Sequence, residues 1–230
     1  MLFDQSKCPL DKKLHNFTKY VRRQSIARFL AQYELFKRQL NIKGSIVECG
    51  VHNGGGAMAW AKISSILEPY NYHRMIYAFD TFEGFPNISE KDKTLYNLNA
   101  RKGSFAENDY NIYEELQEVI KEYDENRFIN HKQKIELIKG DANFTIPEFL
   151  KKNKHVLISL LYLDFDIYEP TVTALNFFLP IMPKGSILAF DELNNPEWPG
   201  ETQAILENLN LNHFKLECFD FEPNISFIQL

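Results

Sequence analysis

The sequence has no long apolar run, no excess of positive charge and no paired set of cysteines. Each absence removes a class of function. The longest apolar stretch, 156–163, is far too short to span a bilayer. No charged-then-apolar leader opens the chain, so neither a membrane nor a secretory route is expected. With 26 basic against 31 acidic residues the net charge is −5, which favours neither nucleic acid nor an anionic surface. Cys8, Cys49 and Cys218 are odd in number and lack metal spacing, as reduced, buried thiols of a cytoplasmic protein would be. The dinucleotide fingerprint Gly-x-Gly-x-x-Gly is missing, because Val51 and His52 follow Gly50. The Lys-Ser/Thr of a phosphate-binding P-loop is missing as well, and so is the Gly-x-Ser-x-Gly elbow of a hydrolase.

What is present is an ordinary globular mix, 44% apolar and 25% charged, over 230 residues. That length suits one substantial domain, 41–230, preceded by an N-terminal helical segment, 1–40. In that segment Ile26, Leu30, Tyr33 and Leu40 recur at helical spacing, so it can cover a sheet edge, act as a lid or make a dimer contact. Residues 44–67 read as strand, glycine loop and helix. A second strand, 75–79, ends at Asp80, and the aperiodic stretch 82–108 reads as a lid inserted into the domain. A helix around Ile112 to Tyr123 leads to a third strand, 134–138, closed by Gly140-Asp141, and then to a short helix, 146–151. The continuous apolar run 156–163 has the character of a central parallel strand buried on both faces. A helix from Pro170, a strand at 187–190, a helix at 201–209 and a hairpin of 214–221 with 225–230 complete the chain. The alternation implies an α/β fold with a mostly parallel, seven-stranded sheet ending in an antiparallel C-terminal hairpin.

Two of these strands end in acids, at Leu163-Asp164-Phe165-Asp166 and at Phe190-Asp191-Glu192. In a parallel sheet the carboxyl ends of the strands face the ligand crevice. Asp164, Asp191 and Glu192 gathered there would repel one another unless a cation sat between them, and hard oxygen donors suit Mg²⁺. The glycine loop carries a different message. A free loop ahead of a helix allows close ligand approach, but Glu48 just before it would repel a pyrophosphate. It would attract the ammonium or sulfonium of S-adenosylmethionine. Asp80 is then placed for the ribose hydroxyls and Asp141 for the adenine amino group.

Val47-Glu48-Cys49-Gly50-Val51-x-x-Gly54-Gly55, Phe79-Asp80-Thr81-Phe82-Glu83-Gly84-Phe85-Pro86, Leu163-Asp164-x-Asp166-x-Tyr168-Glu169-x-Thr171 and Phe190-Asp191-Glu192 together resemble the macrocin O-methyltransferase (TylF-type) family. The likeness covers about residues 20–205. Tyr162 to Thr171, Ala189 to Asn194 and Trp198-Pro199-Gly200-Glu201 resemble its dTDP-6-deoxy-L-hexose 3-O-methyltransferase branch. The resemblance implies a Rossmann-like class I S-adenosylmethionine-dependent methyltransferase that uses Mg²⁺ and acts on a sugar or sugar nucleotide, commonly as a homodimer or higher homo-oligomer. On this chain the cofactor shell is then Glu48, Gly50, Asn53, Gly54, Gly55, Asp80, Thr81, Gly140, Asp141, Ala142 and Asp164. The metal ligands are Asp164, Asp191 and Glu192, and the catalytic pair is Asp164 and Asp166. Many members have Asp-Asp where Asp191-Glu192 stands here, so Glu192 is a longer-armed ligand.

Asp164 is the first candidate for general base and Asp166 the second, with His52 and His131 as rivals. Tyr168 and Trp198 are candidates to stack on the acceptor. Two other readings share the fold: methyl transfer to an aromatic diol, and a non-catalytic cofactor-binding partner.

Overall fold

The computed structural model describes residues 2–98, 100–107 and 109–230. Asn99 and Asn108, within the expected lid, lie outside the described residues. The chain forms α1 (Leu2–Gln5), α2 (Leu10–His15), α3 (Arg23–Gln39), β1 (Ser45–Cys49), α4 (Gly55–Leu67), β2 (Ile76–Asp80), α5 (Ile112–Glu125) and β3 (Ile135–Lys139). It continues with α6 (Ala142–Lys152), β4 (Ile158–Leu163), α7 (Tyr168–Phe178), β5 (Ile187–Phe190), α8 (Pro199–Asn208), β6 (Glu217–Phe219) and β7 (Glu222–Gln229). The sheet has seven strands in the order β3-β2-β1-β4-β5-β7-β6. β1 to β5 run parallel, and β7 and β6 pair antiparallel. This is the architecture of class I S-adenosylmethionine-dependent methyltransferases. After β1 the chain builds outward to β3, then returns and continues from β4 on the other side. The order therefore reverses between β1 and β4, and a crevice opens at their carboxyl ends.

Burial on both faces explains the unbroken apolar strands. Ile46, Ala78, Leu160, Tyr162 and Ala189 face a core with Leu35, Phe36, Trp60 and Leu116. The alternate residues Val47, Phe79, Leu161, Leu163 and Phe190 face Ile146, Phe149, Phe178 and Ile205. Among the described residues no helix is long and apolar enough to cross a membrane.

Several local expectations shift. The buried stripe of α3 is Ala27, Ala31, Leu35 and Phe36, together with Gln32 and Gln39, while Leu30 is exposed. Alanines let the helix approach α4 closely, so small residues win the contact over Ile26 and Leu30. Buried Arg74 fixes the end of α3, donating to Gln39 Oε1 at 2.5 Å and to the carbonyls of Leu40 and Ile42 at 3.0 and 3.1 Å. α6 begins at Ala142 instead of Ile146, because Asp141 caps it by accepting from the Asn143 N–H at 2.9 Å. Pro223 lies inside β7 and not in the hairpin turn. It is tolerated there because the ladder with β5 starts only at Ser226. All three thiols are free, but only Cys49 is buried, and Cys218 is exposed on the edge strand.

Candidate active site

The carboxyl ends of β1 to β5 open into one cavity of about 500 Å³. Of the residues expected to hold a cofactor, all but Gly54 line it. Gly54 is structural: its left-handed φ of 80° starts α4, and a Cβ there would strike Leu116 at 2.5 Å. Gly50 lets two strands meet, since its φ is 94° and a Cβ would lie 1.9 Å from the Asp164 carbonyl oxygen. Of these three loop glycines Gly55 faces open space, with nothing among the described residues within 4 Å of an added Cβ, which is the condition for close ligand approach.

Glu48 is buried and its Oε2 has no hydrogen-bond partner among the described residues. Burial pushes its carboxyl well above the usual range, against the pull of Arg28. An orphaned buried acid pointing at a glycine loop fits a cationic ligand group, as S-adenosylmethionine would supply. Gly56 keeps that space clear, since a Cβ there would lie 1.9 Å from Glu48 Oε1. Asp80 is largely committed to the backbone. Its Oδ2 accepts from the N–H groups of Val51 and His52 at 2.7 and 2.9 Å, and its Oδ1 accepts from Phe82 at 2.6 Å. It shapes the loop first and leaves little capacity for a ribose hydroxyl. Thr81 donates to the Gly84 carbonyl at 2.6 Å and so fixes the base of the segment that follows.

A cluster of acids shares the cavity with Glu48. Asp164, Asp166, Asp191 and Glu192 line it, and fully buried Glu201 lies behind them with Oε2 unpartnered. One cation answers these charges. Arg28 Nη2 donates to both oxygens of Asp191 at 2.7 and 2.6 Å, and Nη1 reaches Asp164 Oδ2 at 3.3 Å. The Tyr162 hydroxyl donates to Asp191 Oδ1 at 2.8 Å. Burial raises the Asp164 carboxyl well above its usual range, and the charge of Asp191 raises it further. Asp166 is raised likewise by burial, then by Glu192 and Asp191. Burial also lifts Glu192 and Glu201.

Asp164 and Asp191 thus converge, as their strand-end positions imply, but onto a guanidinium. Glu192 does not complete a ligand set with them. Its carboxylate accepts from the Asn195 side chain, and its N–H donates to Glu201 Oε1 at 3.1 Å. Among the described residues no group of three His, Cys, Asp or Glu is gathered tightly enough to hold an ion. In kind the donors do fit a hard divalent cation. They are all oxygens, and five carboxylates exceed what one guanidinium neutralises.

The same cavity carries an aromatic wall. Trp198 packs on Phe85 and Phe105 with ring centroids 5.7 Å away in each case, and the edge of His52 meets Phe105 at 6.0 Å. Tyr168 does not line the cavity. Its hydroxyl donates to Glu207 at 2.6 Å and its ring lies under Lys91. His131 is exposed and remote from the cavity lining.

The sequence reading missed Arg28, Gln32 and Gly56. A signal for the first two was available. Arg28 and Gln32 are four residues apart, beside the stripe of Ala27, Ala31 and Leu35, where polar residues need a partner.

The sequence model of the family Macrocin-O-methyltransferase (TylF) matches residues 21–211. No curated protein matches the chain. The crystal structure of CalS11, a calicheamicin methyltransferase, is 34% identical, covers 99% of this chain and 88% of its own, and superposes with a TM-score of 0.94. The apo structure of CalS11, described as a TDP-rhamnose 3'-O-methyltransferase of calicheamicin biosynthesis, is 31% identical over 99% of this chain and 89% of its own, with a TM-score of 0.85. The O-methyltransferase NovP, 18% identical over 89% and 79% of the two chains with a TM-score of 0.63, shares the fold.

Proposed function

This chain belongs to the macrocin O-methyltransferase (TylF) family and is an S-adenosylmethionine-dependent O-methyltransferase; we propose that it methylates a ring hydroxyl of a nucleotide-activated deoxysugar with the help of Mg²⁺. One observation carries the proposal. A glycine loop with an orphaned buried acid, a cluster of proton-seeking carboxylates and an aromatic wall share a single cavity at the reversal of strand order.

The roles follow from the chemistry. The open face of Gly55 and the unpartnered Oε2 of Glu48 support cofactor binding beside β1. Asp141, with Gly140 and Ala142, borders the same space at the end of β3. Trp198, Phe85 and Phe105 offer apolar aromatic surface to the C–H face of a sugar ring, and a missing hydroxyl on the acceptor makes that contact more favourable. CalS11, described as acting on TDP-rhamnose, supports the same substrate class. Asp164 and Asp191 would hold Mg²⁺, which supplies acidity to a neighbouring hydroxyl.

An alcohol is a weak nucleophile, and its proton must leave as the methyl group arrives. Asp166 is the better placed of the two candidate bases. Burial and Glu192 raise its proton affinity, and it accepts no hydrogen bond among the described residues. Asp164 is already engaged by Arg28.

The test is methyl transfer from S-adenosylmethionine to a panel of nucleotide-activated deoxysugars, the corresponding free sugars and catechol, read by mass spectrometry. The proposal expects a one-methyl gain on an activated sugar, loss of turnover in EDTA and recovery with Mg²⁺. Methylation of catechol alone would replace the acceptor assignment. Full turnover in chelator would remove the metal.

A further inference from the structure

The guanidinium of Arg28 lies where the acceptor chemistry calls for an ion. It comes from α3, outside the strand ends that supply Asp164, Asp166, Asp191 and Glu192. It forks onto both oxygens of Asp191 at 2.6 and 2.7 Å and reaches Asp164 at 3.3 Å, and Tyr162 closes the remaining side of Asp191. Asp191 is nearly sealed, with 4% of its side chain exposed, whereas Arg28 keeps 40% exposed. An acid so desolvated needs a positive partner at all times. The arginine, with its open flank to solvent, can leave where the acid cannot. Among the described residues no other cation faces the cluster from the elements around it: the strand ends of β4 and β5 contribute Asp164, Asp166, Asp191 and Glu192, and α8 contributes Glu201.

We propose that Arg28 is a resident counter-cation: its guanidinium fills the seat between Asp164 and Asp191, and a divalent ion must displace it to bind there. This rests on the Mg²⁺ reading given above. Two consequences follow. Asp191 is never left without a counter-charge, so the fold tolerates an ion-free state. The apparent ion affinity is also reduced by the fraction of molecules whose arginine is seated. If about nine in ten are seated, the apparent dissociation constant is raised about tenfold.

The experiment is titration calorimetry of Mg²⁺ and Mn²⁺ into the full chain, wild type against Arg28→Gln and Arg28→Lys, with S-adenosylhomocysteine present. Thermal melts of the same proteins with and without Mg²⁺ report folding independently. Arg28→Gln is expected to bind the ion about tenfold or more tightly than wild type. Arg28→Lys is expected between the two, because an ammonium keeps the charge but has no second nitrogen to reach Asp164 while the first holds Asp191. Mg²⁺ is expected to raise the melting temperature of Arg28→Gln more than that of wild type. If Arg28→Lys binds as wild type does, the arginine acts only through its field and the displacement idea fails. If Arg28→Gln binds no more tightly than wild type, the proposal fails while the Mg²⁺ reading stands. If none of the three proteins binds either ion, both fail together.

Discussion

A left-handed backbone costs an aspartate energy, and Asp166 adopts it with φ 62° at the mouth of β4. Strain of this kind persists where a side chain must point somewhere particular. Asp166→Asn keeps the shape and removes the proton acceptor, so kcat should fall by about 10²- to 10⁴-fold while S-adenosylhomocysteine binding is retained. In wild type the acid limb of the pH–rate profile should lie above the ordinary carboxylate range, because burial and Glu192 both raise Asp166. Activity then rises with pH as Asp166 deprotonates, and the limb should vanish in the variant. If Asp164→Asn loses the limb and Asp166→Asn keeps it, the two roles are exchanged. The glycines tell a related story at this scale. Gly50, Gly54 and Gly55 stand together in the sequence as a ligand loop, yet one accommodates a strand, one a leucine, and of the three only Gly55 has open space where a side chain would begin. Sequence spacing says that glycine is needed, but not which neighbour needs it.

The segment 82–108 lacks periodicity, which explains its reading as a lid, but much of it is anchored. Phe85 N–H donates to the Ser104 carbonyl at 3.1 Å, and Gly103 N–H to the Phe85 carbonyl at 2.9 Å, so the two arms are stitched together. Buried Asp92 accepts from the Tyr168 N–H at 2.7 Å and so ties the segment to the start of α7. Thr94 donates to the Pro196 carbonyl at 2.8 Å. Leu95, Tyr96 and Leu98, in contrast, are exposed. Gly200 guards the Asp92 anchor, since a Cβ there would lie 1.9 Å from Asp92 Oδ1 and 2.8 Å from Tyr168 N. Gly200→Ala should destabilise by about 1–3 kcal/mol in urea unfolding. It should also extend protease cutting from 95–98 back into 85–94. Cofactor with acceptor should protect 95–98 in wild type, and unchanged cutting there would count against a closing lid. None of these anchors is readable in advance. Each joins residues roughly 20 to 110 positions apart, and a single capping acid such as Asp92 looks like any surface charge.

Across the molecule, the cavity sits where β1 and β4 part, so its walls come from nearly the whole chain, Arg28 to Trp198. Ligand binding should therefore stabilise the fold globally. S-adenosylhomocysteine at 100 times its dissociation constant contributes about 2.7 kcal/mol. For a chain of this size that corresponds to a rise in melting temperature of roughly 5–11 °C. A scanning melt with and without the ligand checks it, and no shift would mean that the cavity does not hold the cofactor.

The order of strands and helices, and the acids that close β2, β4 and β5, were determined by the sequence itself. Period, breakers and apolar runs are local properties, and a parallel sheet must put its strand ends on one side. The tertiary structure alone decided what those acids meet. Charge balance in a buried site depends on every group within a few ångströms, whatever its place in the chain, and here the decisive group, Arg28, arrives from a helix 136 residues before Asp164.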